Sequence, residues 1–330
     1  MDFPDLARLA SGHVEARVLQ AAVALGIFEA LRDRGQPVSA ISCSIHGDRR
    51  ATELLLNALV ALGLLKKKGD LFSLTHVAST YLLSDSPKYY GGMVLFESAL
   101  WDAWRDLPKS IRSGAPVRPP DMYQRHPQET ERFILAMGSL VQARGDARVL
   151  AGKLDLEKVT DLLDVGSGPG TYPIYFCQRF PSLRATIFEL PATAKITERF
   201  VQASGVSDRI RLVQGDYRAD SIPGNYQMAF LSNIIHAESS EENGRLMAKL
   251  YARLDRGGRI VIKDHILDDA LTHPPVGAVF SLLMLLTTEA GRCYSFQEVR
   301  GWLEGAGFKR VRAVSLPQPL TSSLVIGRKE

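Results

Sequence analysis

Apolar residues recur at helical spacing through VLQAAVALGIFEALRD (18–33), a run that stops before Gly35 and Pro37, so the chain opens with core-facing helices. A short helix is expected near Ser39 to Ile45, and a stronger one in RRATELLLNALVALGLL (49–65). KKKGDLFSLT (66–75) then offers two short extended pieces around a turn at Gly69-Asp70, which predicts a hairpin. Helix, helix, helix, hairpin is the order of a winged helix, and short-looped helical patterning continues to about residue 113. Four prolines crowd GAPVRPPDMYQRHPQET (114–130), and because proline blocks helix interiors and central strands this stretch reads as a linker.

After a helical stretch at 130–152 the rhythm changes to strand and helix in turn. Strands are expected at DLLDV (161–165), RATIFEL (184–190), IRLVQGD (210–216), QMAFLSNI (227–234) and GRIVIKDHI (258–266), with helices between them. An apolar helix in VGAVFSLLMLLTTE (276–289) and another in SFQEVRGWLEGAG (295–307) precede two closing strands, KRVRAVSL (309–316) and SSLVIGRK (322–329). Such alternation predicts an α/β domain with a mainly parallel sheet. The expected organisation is therefore a helical domain at 1–113, a linker with connecting helices at 114–152, and the α/β domain at 153–330.

A chain of 330 residues can bury two cores, and 45% hydrophobic with 23% charged residues is the balance of an ordinary globular protein. The net charge of +4 is small for this length and announces no polyanion partner. Cys43, Cys177 and Cys293 lie far apart and form no C-x-x-C pair, which argues against a disulfide framework or a zinc knuckle and fits a reducing compartment. The N-terminus has acids where a signal peptide has bases, and no uncharged apolar run is long enough to span a bilayer. The expectation is a soluble cytoplasmic protein.

The strand DLLDV runs into Gly166-Ser167-Gly168-Pro169-Gly170 and then a helix, so backbone must turn sharply where a ligand can come close. The spacing is G-x-G-x-G, whereas pyrophosphate binding by dinucleotide folds uses G-x-G-x-x-G. Asp164 just before the loop suits an ammonium group and sits badly beside a phosphate. Glu189 ends the second strand, where a carboxylate can accept both hydroxyls of a ribose, and Asp216 ends the third, where it can meet an adenine amino group with Tyr217 beside the ring. The fourth strand ends LSNIIHAESSEE, which brings Asn233 and His236 to the same sheet edge.

On these motifs the sequence resembles the class I S-adenosylmethionine-dependent methyltransferases, through Asp164-Val165-Gly166-Ser167-Gly168-Pro169-Gly170, Glu189 in IFELP, and Gly215-Asp216-Tyr217. The resemblance implies S-adenosylmethionine as cofactor, with its methionine end cradled by Asp164, Gly166, Gly168 and Gly170, its ribose at Glu189, and its adenine at Asp216 and Tyr217, Asn233 joining the set. Nearly the whole chain is similar to the plant-type and bacterial O-methyltransferases of small molecules. That implies a Rossmann-like, seven-stranded α/β methyltransferase core, and an N-terminal, mainly α, winged-helix-like domain that swaps across a homodimer. It also implies methyl transfer to a hydroxyl of a small, largely apolar, aromatic acceptor.

His236 matches the catalytic histidine of that family, and a neutral imidazole is well suited to take the acceptor's proton near neutral pH. Ala237-Glu238 stands where the family commonly has Asp-Trp. The first acid that orients the histidine falls on Asp264, while the second falls on Cys293, which cannot hold an imidazole as a carboxylate does; Glu289 is near enough in sequence to substitute. Met284 and the neighbourhood of Trp101 and Trp104 are candidate acceptor walls that core packing would explain equally well. His265 is expected on the opposite strand face from Asp264, and no metal is expected. Two rivals remain: methylation of carbon or nitrogen on the same fold, and a DNA-binding regulator using Lys66-Lys67-Lys68. The apolar third helix, with Asn57 and few other polar groups to read bases, argues against the regulator.

Overall fold

The computed structural model describes residues 1–119, 124 and 126–330, and two compact units divide them. The first comprises Met1–Trp101 and Leu135–Ala143, the second Asp102–Ile134 and Arg144–Glu330. Part of the expected linker, at 120–123 and 125, lies outside the described residues.

In the first unit, helix α1 (Phe3–Ala24) starts on a capping box in which Asp2 and Asp5 each accept the other's backbone N–H. The apolar periodicity of 18–33 continues past Gly26, but the backbone does not: Gly26 takes φ +73° and splits the run into α1 and the short α2 (Ile27–Ala30). Helices α3 (Val38–Ser44) and α4 (Arg49–Ala61) follow, and α4 buries Leu56 and Leu59 against Ile27, Phe28, Leu31 and Phe72. The expected hairpin is β2 (Leu65–Lys68) and β3 (Leu71–Leu74), and a two-residue strand that the pattern did not announce, β1 (Gln36–Pro37), pairs antiparallel with β3. Lys67 donates to Asn57 at 2.9 Å and lies over the Phe72 ring, so both side chains have partners within this unit. Helices α5 (His76–Tyr81) and α6 (Gly91–Ala99) complete this part. Trp101 is held here by Gln20, which accepts its indole N–H at 2.6 Å, and by Arg17 over its ring.

The second unit contains α7 (Trp101–Arg105) from Asp102 onward and α8 (Leu107–Ser113). The helical stretch expected over 130–152 is two helices, α9 (Pro127–Arg144) and α10 (Asp146–Lys153), parted by Gly145 at φ +71°. A seven-stranded sheet follows, in the order β11-β12-β8-β7-β4-β5-β6. Its strands are β4 (Asp161–Val165), β5 (Arg184–Glu189), β6 (Ile210–Gln214), β7 (Tyr226–Ser232), β8 (Leu254–Asp264), β11 (Lys309–Ser315) and β12 (Ser323–Arg328). Pairs among β4 to β8 are parallel, and β12 enters antiparallel between β8 and β11. Residues such as Leu162, Leu163, Ile187, Phe230 and Val261 are buried because helices cover both faces of a parallel sheet. Two short strands, β9 (Ile266–Leu267) and β10 (Tyr294–Ser295), pair apart from it.

Helices α11 (Thr171–Arg179), α12 (Pro191–Gln202), α13 (Ser240–Arg253), α14 (Pro275–Thr287) and α15 (Phe296–Gly305) alternate with the strands. Capping boxes at Ser239/Glu242 and Ser295/Glu298 start α13 and α15 where their sequences place Ser three residues before Glu. The chain leaves β4 in one direction through β5 and β6 and in the other through β7 and β8, so a crevice opens at the carboxyl ends of β4 and β7. Among the described residues, no helix is long and apolar enough to cross a membrane.

Candidate active site

Asp164, Glu189, Asn233 and Asp264 all lie at the carboxyl edge of the parallel strands, with Asp216 two residues beyond β6 and His236 in the turn after β7. The glycine loop between β4 and α11 uses left-handed backbone at Gly166, Gly168 and Gly170, with φ of +66°, +57° and +75°. A Cβ at Gly166 would lie 2.3 Å from Ile234 Cδ1. Gly166 N–H donates to the Phe188 carbonyl, and the Gly168 carbonyl accepts the Thr197 hydroxyl at 2.6 Å, so the loop is fastened to β5 and α12.

Asp164 is buried; one carboxylate oxygen accepts the Ser167 hydroxyl at 2.6 Å, and the other, Oδ1, has no hydrogen-bond partner among the described residues. Burial pushes its carboxyl up to about 7, against the Ser167 hydrogen bond and helped by the charge of Glu189. Glu189 accepts backbone N–H from Gly168 and from Leu190, each at 2.8 Å, and burial still carries it up to about 7. A carboxylate has more lone pairs than these two bonds use, which leaves acceptor capacity for hydroxyls. Asp216 is partly exposed and turns back on its own loop, accepting the Arg218 N–H at 2.9 Å and pairing with its guanidinium at 3.1 Å.

Asn233 sits at φ +58°, donates its N–H to the Lys263 carbonyl at 2.7 Å, and leaves its buried Oδ1 unpartnered among the described residues. The orphaned Asp164 and Asn233 oxygens at one sheet edge mark a place built for polar groups that the chain itself does not supply. Gly215 has no room for a side chain, since its Cβ would lie 2.4 Å from the Phe188 ring.

His236 Nδ1 is 2.8 Å from Asp264 Oδ1, and both side chains are buried. Asp264 also accepts the His265 N–H at 2.7 Å. Burial raises the Asp264 carboxyl, but the charge and hydrogen bond of His236, together with His265, outweigh it and hold the group below the ordinary aspartate value. Phe280 of α14 stands edge-on to His236, with ring centroids 4.9 Å apart, and its ring is equally close to His265. The His265 ring does not pair with Asp264: its Nδ1 lies 3.2 Å from Thr321 O, and only its backbone N–H reaches the carboxylate.

Cys293 is buried, its thiol pushed up to about 12 by burial and then by the charge of Asp264, so the position expected for a second orienting acid holds a neutral group. Glu289 does not replace it: it is exposed beyond the end of α14 and makes no hydrogen bond or ion pair among the described residues. Met284 is buried on the same helix as Phe280. Among the described residues no group of three histidine, cysteine or carboxylate side chains is placed to hold a metal.

The sequence reading missed Glu238. This buried carboxylate accepts the Tyr217 hydroxyl at 2.6 Å, joining the loop after β6 to the turn after β7, and the only signal was the departure of Ala237-Glu238 from Asp-Trp. It also missed Lys263, fully buried and 3.3 Å from Asp146, whose carboxylate accepts a bidentate bond from Arg144 at 2.7 and 3.0 Å.

Comparison with known proteins sharpens the picture. Residues 114–309 match the family model of the O-methyltransferase domain, and residues 7–84 that of the O-methyltransferase dimerisation domain. The chain is 32% identical to a 3-hydroxy-5-methyl-1-naphthoate 3-O-methyltransferase of Streptomyces sahachiroi, over 98% of this chain and 94% of that protein. It is 30% identical to an L-tyrosine C(3)-methyltransferase of Streptomyces lavendulae, over 93% and 87%. The structure of PigF with SAH superposes at a TM-score of 0.90 with 26% identity, all of both chains being covered.

Proposed function

Because this chain belongs to the O-methyltransferase family, we propose that it transfers the methyl of S-adenosylmethionine to a hydroxyl of a small, largely apolar aromatic molecule, with His236 as general base. The single observation that carries the base role is the buried His236–Asp264 pair beside the glycine loop. The cofactor fits the residues present: Asp164 Oδ1 and Asn233 Oδ1 are buried acceptors in want of partners, and glycines stand where side chains would collide. In the proposal Asp164 and Asn233 hold the amino-acid end, Glu189 the ribose, and Asp216 and Tyr217 the adenine side.

S-adenosylmethionine, when bound, supplies an electrophilic methyl on sulfur. Asp264 accepts the Nδ1 proton of His236 and so leaves Nε2 as the free base. Nε2 would then be free to take the proton of the acceptor hydroxyl, and Asp264, held ionised through the neutral range, would offset the charge that His236 gains. Phe280 presents an apolar ring beside the imidazole, with Met284 buried one turn further along the same helix, which suits an aromatic acceptor. The dimerisation region at 7–84 supports a homodimer, and free cysteines support a reducing, cytoplasmic compartment.

A second reading, methylation of carbon, draws on two facts: Cys293 in place of an orienting acid, and a 30%-identical relative named for C-methylation. The discriminating experiment is a screen of hydroxyaromatic acceptors by mass spectrometry with wild type and His236→Ala. O-methyl product from wild type, lost by about 100-fold or more in His236→Ala with S-adenosylhomocysteine affinity intact, is expected. Product methylated on carbon, or turnover unchanged in the variant, would overturn the base role.

A further inference from the structure

At the opposite end of the sheet from the glycine loop, three adjacent antiparallel strands bring cations together. Arg259 of β8 stands directly across from Arg328 of β12, and Arg312 of β11 lies across from Ile326, two residues before Arg328. Side chains two apart on a strand share a face, so Arg259, Arg312 and Arg328 converge on one side of the sheet. Arg310 joins them where a bulge shifts the register between Lys309 and Arg312, and its own backbone is held at φ +53°. With Lys153 at the end of α10, these residues line a cavity of about 400 Å³.

Like charges directly opposite on neighbouring strands destabilise a sheet, and the acids present do not neutralise this group. Asp155 lines the same cavity and is the one lining acid whose charge acts on Arg259, which also donates to its backbone carbonyl; Glu330 pairs only with Arg310, at 3.0 Å. Lys153, Arg312 and Arg328 make no ion pair among the described residues, and Arg259 Nε is buried without a partner. Burial lowers the Arg259 guanidinium from its ordinary value against the charge of Asp155, and Arg328 and Arg312 add to the lowering. A concave site with five cations, one lining acid and an unused buried N–H is a receptor for an anion.

We infer that this cavity binds a small phosphorylated molecule carrying at least two phosphate groups. A cavity of about 400 Å³ is in the size range of small-ligand pockets. The cations converge on one cavity instead of forming a stripe along the surface, and the adjoining cavity, which holds Arg148 and Arg179, also contains Glu157. A macromolecular polyanion would want the stripe. Guanidinium forks match phosphate oxygens two at a time. Arg259 lies five residues before Asp264 on β8, roughly 17 Å along the strand, so this site is separate from the methyl-transfer crevice.

The test is calorimetric titration of the whole protein with inorganic pyrophosphate at fixed ionic strength. Wild type should bind one molecule per chain, and Arg312→Gln/Arg328→Gln should bind about tenfold more weakly or worse, with S-adenosylhomocysteine affinity unchanged. Ligand-free Arg328→Gln should melt above wild type because a like-charge repulsion is gone, and pyrophosphate should raise the melting temperature of wild type more than that of the double variant. No saturable binding at millimolar pyrophosphate, or equal affinity in the double variant, would overturn the inference. Tighter capture of a short single-stranded oligonucleotide than of pyrophosphate through the same arginines would also overturn it, in favour of nucleic acid.

Discussion

Lowering the pH should weaken cofactor-site binding through Asp164 and Glu189. Burial brings both carboxyls up to about 7, from ordinary values of 3.8 and 4.5. In the proposed site an ammonium group and ribose hydroxyls are held by the ionised forms. A group with a pKa of about 7 is about nine-tenths ionised at about pH 8 and about one-tenth at about pH 6, so each required carboxylate weakens binding by about tenfold over that interval. The two groups feel each other's charge and titrate as a pair, which sets about a hundredfold as the upper bound. The same groups act on the stability of the ligand-free protein. Their folded pKa values exceed the unfolded ones, so their contribution is fully present below about pH 4 and is lost as the pH rises through about 7. Ligand should reverse that trend. The assay is calorimetric titration with S-adenosylhomocysteine across this range in two buffers of different ionisation enthalpy, which counts the protons released. Asp164→Asn should bind weakly throughout and show a shallower pH dependence. Wild-type affinity that is flat across the range, with no buffer-dependent heat, would refute the reasoning.

Asp146→Asn should destabilise the protein by about 3–5 kcal/mol in urea unfolding, because Lys263 is then a buried charge without its carboxylate. Lys263→Met should cost less, since Arg144 still pairs with Asp146; equal losses would contradict this. Burial already lowers the Lys263 ammonium, so the Asp146→Asn deficit should shrink as the pH rises and the neutral amine becomes available. Gly215→Ala should cost about 1–3 kcal/mol by forcing a methyl against the buried Phe188 ring, and an unchanged unfolding midpoint would show that the ring moves freely. Tyr217→Phe takes the hydroxyl donor from buried Glu238 and should cost about 1–3 kcal/mol; adding Glu238→Gln should recover part of that, and no recovery would mean the pair is not the cause.

The parts legible in the sequence are those encoded by neighbours in the chain. Strand DLLDV, the glycines after it and the helix that follows declare a sharp turn, and the acids ending the next strands could be placed because an α/β alternation sends every parallel strand to the same edge. The break at Gly26 was hidden, since apolar spacing continues across it and only the left-handed backbone interrupts the helix. Pairings that depend on sheet order were hidden for a different reason. Lys263 and Asp146 are more than a hundred residues apart, and nothing local marks a lysine in an apolar strand as one that will meet a carboxylate from a helix end. The arginines of β8, β11 and β12 look like ordinary scattered surface charge until an antiparallel register places Arg328 opposite Arg259.

The departure at Cys293 shows how a site can keep its geometry after losing a charge. A neutral buried thiol cannot orient an imidazole, so the position of His236 rests on Asp264, on the edge contact with Phe280, and on the loop that carries Cys293 itself. That loop comes so close that a Cβ at Gly291 would lie 2.3 Å from the His236 carbonyl oxygen; glycine is what lets backbone press on the histidine turn from this side. The hydrogen bond from Tyr294 to the Glu238 carbonyl at 2.5 Å, one residue past the Ala237 that follows the histidine, fastens the same two segments again. Packing and backbone contact therefore supply the constraint on the turn that a second carboxylate would otherwise supply on the ring. This leaves Asp264 alone to set the tautomer, and makes it the residue on which the proposed base role of His236 depends most directly.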